Sequence, residues 1–120
     1  MRTMLNCRTD FSVGESILTV ERLIEEAKRC GQPAVAITDT MSVTGMIDFT
    51  NRASKADLKP IIGVRLRLTD DPTWRPADGE KKKDMPREYF LTLYVLTEEG
   101  MLAVYRLLTL ANSDARFYYV

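Results

Sequence analysis

Lys59-Pro60-Ile61-Ile62-Gly63-Val64-Arg65-Leu66-Arg67-Leu68 is the stretch that decides the fold class. Its first half is a continuous apolar run, the pattern of a strand covered on both faces. Its second half alternates charged and apolar residues at the strand period. Upstream, Ala34-Val35-Ala36-Ile37 is a second such run. A short strand is expected around Met4–Cys7, leading into a polar loop through Ser16, and a fourth at Tyr89–Leu96. Helical spacing of Val20, Leu23, Ile24 and Ala27 predicts a helix from Thr19 to Cys30, with Thr19 as N-cap and Gly31 and Pro33 as the stop. A second helix is expected over Val43–Ser54, burying Met46, Ile47, Phe49 and Ala53. A third follows the Thr97-Glu98-Glu99 cap and carries Leu102, Tyr105, Leu108 and Ala111. Strands and helices that alternate in this way predict an α/β domain, a mostly parallel sheet of about four strands with about three helices.

The chain has 120 residues, about one domain, so residues 1–120 read as a single unit. That is short of the roughly 200 residues or more that a complete β/α barrel uses. Lys plus Arg and Asp plus Glu are 17 each, which gives no overall field to draw the chain to nucleic acid or to an anionic membrane. No apolar run approaches the roughly 20 residues of a membrane span. Cys7 and Cys30 form no CxxC pair, and with no histidine in the chain they cannot build an ordinary zinc site. They read as two small buried thiols in a reducing, cytoplasmic setting. The segment from about 70 to 88, with three prolines, Trp74 and the run Lys81-Lys82-Lys83, reads as a mobile polar hairpin excursion. Its lysines suit a solvated face, and Trp74 is a candidate partner anchor with no assigned role.

In a parallel α/β sheet, chemistry collects where strands end at their carboxyl side. Here those ends carry Asn6–Arg8, Asp39-Thr40 and Val64-Arg65. Three of these segments, Leu5-Asn6-Cys7-Arg8-Thr9-Asp10-Phe11-Ser12, Ala36-Ile37-Thr38-Asp39-Thr40 and Lys59–Arg65, together with Phe90-Leu91-Thr92-Leu93, resemble the motifs of the PHP (polymerase and histidinol phosphatase) family. The version resembled is the one that opens bacterial DNA polymerase III alpha subunits. Gly45 falls on a glycine of that pattern, and Ala111–Tyr119 resembles the point where the family continues into the rest of its barrel. The resemblance implies the N-terminal half of a PHP-type β/α barrel.

The resemblance also implies what has been replaced. In metal-binding members the positions of Asn6, Arg8, Glu15, Thr40, Arg65 and Phe90 hold His, His, an acid, His, Glu and His, ligands for divalent metals that activate water and clamp phosphate. Only Glu15 keeps a strong donor, and Arg8 and Arg65 are permanently cationic. The expectation is therefore no catalysis, no metal and no cofactor. In place of the metal, a charge cluster of Arg8, Glu15, Asp39 and Arg65 is expected to hold the strand ends together.

The leading functional expectation is a non-catalytic scaffold or protein-interaction module of DNA replication, since the family's domain sits on the polymerase and in some members docks the proofreading exonuclease. An alternative is a stand-alone protein that mimics the polymerase and binds or inhibits it or its exonuclease. A metal-dependent phosphoesterase ranks last. An open half-barrel exposes strand edges, so a protein partner or a homo-oligomer is expected to cover them. The residues of that contact are not identifiable from sequence.

Overall fold

The structure, a computed structural model, describes residues 2–75 and 86–113. Its sheet contains β1 (Ala34–Thr40), β2 (Lys59–Thr69) and β3 (Glu88–Tyr94), in that order across the sheet. β1 and β2 are parallel, with Thr40 beside Arg65, while β2 and β3 are antiparallel, with Arg65 beside Thr92 and Arg67 beside Phe90. The helices are α1 (Val20–Arg29), α2 (Met46–Lys55) and α3 (Glu98–Ala111).

α1 starts where the Thr19 hydroxyl accepts from the Arg22 amide. It ends at Gly31, whose φ of +62° lets the Gln32 N–H turn back to the Ala27 carbonyl at 3.0 Å. Its buried stripe, Val20, Leu23, Ile24 and Ala27, is the one its spacing predicts. These residues pack with Val35 and Ile37 of β1 and with Phe49 and Ala53 of α2. Phe49 is wholly buried, and such burial contributes about 2–3 kcal/mol. A second cluster joins Val64 and Leu66 of β2 to Val104 and Leu108 of α3. Ile62, Val64 and Leu66 thus face the helices. Alternation turns Gly63, Arg65 and Arg67 to the opposite face, and the candidate site lies there.

Four expectations change. Met4–Cys7 is not a strand: it lies beside β1 and is held by only one sheet-like bond, from the Thr38 N–H to the Cys7 carbonyl at 2.8 Å. The chain then tightens into the turn at Thr9–Ser12 before a ladder can build. The described sheet therefore has three strands and is mixed, because β1 and β2 run parallel while β2 and β3 run antiparallel. Of the expected hairpin excursion at about 70–88, residues 76–85, with Lys81–Lys83, lie outside the described residues, whereas Trp74 is partly buried in the turn that follows Asp71.

The buried faces of α2 and α3 also differ. Ile47 is 69% exposed, so α2 relies on Phe49 and Ala53. α3 buries Val104, Leu108 and Ala111 while Leu102 and Tyr105 stay exposed. Its apolar residues run around most of the helix, so periodicity alone could not choose the face.

Gly63 is where backbone spacing is tightest. A Cβ there would lie 2.7 Å from the Leu93 carbonyl oxygen, 3.0 Å from Thr38 Cγ2 and 3.1 Å from Tyr94 Cδ1. The bare glycine lets the Tyr94 ring pass beside it, and the Tyr94 hydroxyl then donates to the Leu5 carbonyl at 2.8 Å. Gly63→Ala should lower stability by about 1–3 kcal/mol in urea unfolding, since a backbone oxygen cannot move aside as a side chain can. An unchanged midpoint would refute this account of the contact.

Candidate functional site

The N-terminal segment reaches the ends of the strands through a loop built from short polar side chains. The Ser16 hydroxyl donates to the Arg8 carbonyl at 2.8 Å and accepts from the Leu18 amide at 3.1 Å. The Asp10 N–H meets the Leu18 carbonyl at 2.9 Å. Local bonding of this kind lets Ser, Thr and Asp fold a segment that is neither helix nor strand.

Asp39 anchors this loop to the sheet. Its side chain accepts from the Thr9 amide at 2.6 Å, the Thr9 hydroxyl at 2.7 Å and the Ser12 hydroxyl at 2.7 Å. The Ser12 hydroxyl in turn accepts from the Thr40 amide at 2.9 Å. Thr9, Ser12 and Asp39 are all buried, and no buried side-chain polar atom among the described residues lacks a partner. Gly45 leaves room for the neighbouring Phe11 ring, since a Cβ there would sit 2.7 Å from Phe11 Cδ2.

Above this anchor, the six positions singled out in the sequence come together. The Glu15 Oε2 atom accepts from the Thr40 hydroxyl at 2.9 Å and lies 3.4 Å from both Arg8 Nε and Arg65 Nη1. Arg8 Nη1 donates to Asn6 Oδ1 at 3.3 Å. The Arg65 guanidinium lies 3.8 Å from the centre of the Phe90 ring, its diagonal neighbour across the β2–β3 ladder. Five parts of the fold (the N-terminal segment, the following loop and the three strands) thus meet around one carboxylate oxygen.

Asp39 is not part of that charge cluster. It lies one residue before Thr40 and, by strand alternation, on the helix-facing side, with Thr9 and Ser12 as its partners in place of arginine. Thr9 and Ser12 lie within the first of the sequence motifs, yet nothing in that motif marks them as partners of Asp39. The available signals were two hydroxyl residues spaced to close a turn and, about thirty residues later, an acid ending a buried strand and so in need of donors.

The arginines keep 24–29% of their side-chain surface and Glu15 keeps 36%, so the cluster sits at a rim and is not deeply buried. Water screens these pairs, which limits each to about 1 kcal/mol or less. The Phe90 contact adds a similar amount. An open cleft of about 320 Å³ adjoins the cluster, lined by Ser12, Glu15, Thr40, Met41 and Arg67 among others. Cys7 is buried beneath the segment; burial pushes its thiol above the usual range, and the charge of Arg8 partly offsets this. Cys30, expected to be buried, is exposed.

As a donor set for a divalent cation these side chains do not fit. Two carry fixed positive charge, the Asn6 oxygen and the Thr40 hydroxyl are engaged within the cluster, and Phe90 has no lone pair. Among the described residues, no group of three or more Cys, Asp or Glu is placed to hold a metal. Nor is any helix among them long and apolar enough to cross a membrane.

The family model described as the PHP domain matches residues 5–120. The DNA polymerase III subunit alpha of Yersinia pestis is 36% identical over 97% of this chain and 10% of its own length. That of Helicobacter pylori is 26% identical over 98% of this chain and 9% of its own length. The PolC-type DNA polymerase III of Oceanobacillus iheyensis is 33% identical over 87% of this chain and 7% of its own length. The chain thus spans about a tenth of the length of the curated relatives it matches. Among solved structures, a protein assigned as a metal-dependent phosphoesterase from Bifidobacterium adolescentis shares the fold, with a TM-score of 0.59 over 91% of this chain and 32% of that one, at 20% identity.

Two outcomes follow from this geometry. Asp39→Ala should cost about 3 kcal/mol of unfolding free energy, because it strands buried donors on Thr9 and Ser12. Arg65→Met should cost only about 1 kcal/mol, an effect that shrinks in high salt. Equal losses would place the anchor in the arginine cluster instead. With a thiol reagent under native conditions, Cys30 should be labelled promptly and Cys7 only as the chain unfolds, since burial disfavours its thiolate. Equal labelling rates, read by peptide mapping, would contradict the burial of Cys7.

Proposed function

Because the chain belongs to the PHP domain family, whose model it matches from residue 5 to residue 120, we propose that it is a non-catalytic scaffold or interaction module of the DNA replication apparatus. The observation that carries this reading is the guanidinium–carboxylate cluster around Glu15 Oε2, at positions where the family resemblance implies metal ligands. Metal-dependent phosphoester hydrolysis requires a cation to activate water and to neutralise the charge that develops on phosphate oxygens. Arg8 and Arg65 oppose binding of that cation. No side chain of the cluster other than Glu15 is a general base, and its oxygen is already engaged by three donors.

The same cluster supports a structural role. It ties the N-terminal segment and loop to all three strands with charge in place of metal. Its partner is proposed to be a protein of the replication apparatus, the polymerase or its proofreading exonuclease. That reading rests on kinship with polymerase III alpha subunits and on the balance of 17 basic and 17 acidic residues, which gives no electrostatic reason for direct nucleic-acid binding.

Protein incubated with manganese or zinc and then desalted should retain substoichiometric metal and release no phosphate from p-nitrophenyl phosphate. Stoichiometric retention, with turnover abolished by Glu15→Gln, would overturn the non-catalytic reading.

A further inference from the structure

We propose that two copies of this chain associate through the outer edge of β3, strand against strand and antiparallel about a two-fold axis at Leu91. β3 ends the described sheet, so one of its edges has no neighbouring strand among the described residues. The Val95 N–H to Ile62 carbonyl bond at 2.8 Å fixes the phase of the β2–β3 ladder. By the alternation of an antiparallel ladder, Tyr89, Leu91 and Leu93 direct their backbone groups to β2, while Glu88, Phe90, Thr92 and Tyr94 direct theirs outward. Among the described residues these outward groups have no backbone partner beyond the ladder.

The composition of β3 is what edges normally avoid. It holds no proline and no lysine, and its one charged residue, Glu88, is paired with Arg67 at 2.8 Å. Tyr89, Phe90 and Leu91 are 46%, 49% and 44% exposed. Identical strands placed antiparallel about Leu91 are self-complementary in three respects. Phe90 meets Thr92 of the second copy and Glu88 meets Tyr94, which joins outward-directed groups to outward-directed groups. Leu91 faces its own counterpart at the axis, as a two-fold interface demands. No like charges become direct neighbours across the new ladder, since each Glu88 sits opposite a tyrosine. The product is a continuous six-stranded sheet, twice the three described strands. This inference goes beyond the scaffold reading and does not need it, because the pairing uses the backbone of β3 and leaves Glu15 untouched.

The test uses the full chain. Light scattering coupled to size exclusion at high micromolar concentration should report a dimer. Thr92→Pro, which removes an outward N–H and no bond of the β2–β3 ladder, should give a monomer that still unfolds cooperatively. In a Cys30→Ser background, Leu91→Cys should form a disulfide-linked dimer under mild oxidation, because facing residues of a non-hydrogen-bonded pair lie within disulfide reach. The Cys30→Ser protein alone should not. A monomeric wild type, a folded Thr92→Pro protein that remains dimeric, or a dimer that Leu91→Cys fails to cross-link would each overturn the proposal. None of these results bears on metal retention, so the two readings fail separately.

Discussion

A single buried carboxylate does most to hold the N-terminal part of this molecule to its sheet. Asp39 stands at the end of β1, where the sheet gives way to loops, and takes three hydrogen bonds from Thr9 and Ser12. A carboxyl group in so dry a place is tolerable only when its oxygens find hydrogen-bond partners. Supplying them fixes where the N-terminal segment must lie. With Thr9 and Ser12 in place, the Cys7 carbonyl reaches the Thr38 amide and Leu5 comes within reach of the Tyr94 hydroxyl. Arg8 and Glu15 flank this turn in sequence and are carried with it to the open side of the strand ends.

The cluster above Asp39 joins the strand ends and the loop by charge around one carboxylate oxygen. Two partly exposed arginines sharing one oxygen at 3.4 Å hold it only weakly, because water screens the pairs. What the arginines bring is connectivity. Arg65 joins Glu15 to Phe90, and Arg8 joins Glu15 to Asn6, so one exposed oxygen links elements far apart in sequence. Because the pairs are screened by water, the fold cannot depend on them as it depends on Asp39. The site is consequently a surface feature laid over an independent anchor.

A second constraint comes from what three strands can cover. The helices bury one face of the sheet in two clusters, and the N-terminal segment borders β1, which leaves β3 as the outer strand of the described sheet. In a closed barrel such an edge is paired with the next strand. The solved relative that shares this fold extends well beyond the part that matches, since the chain corresponds to 32% of it. The exposed aromatic and aliphatic side chains of β3 and α3 are the remaining consequence of that geometry.

Features set by neighbours in the chain were legible in the sequence. Thr19 and Gly31 bound α1, Thr97 caps α3, and the runs at Ala34 and Lys59 form the two parallel strands, each dictated by local hydrogen bonding or by a continuous apolar stretch. The six clustered positions could also be named in advance, because their spacing follows a family pattern. Features that depend on distant partners could not be read. Met4–Cys7 has strand-like residues but lies beside β1 with a single sheet-like bond, and the apolar surface of α3 offered several faces from which packing against Val64 and Leu66 selected one. Asp39 looked like one more acid beside two arginines. Only the alternation of β1, which turns Asp39 inward and Thr40 outward, decided that one carboxylate would be solvated by hydroxyls and the other, on Glu15, by guanidinium groups.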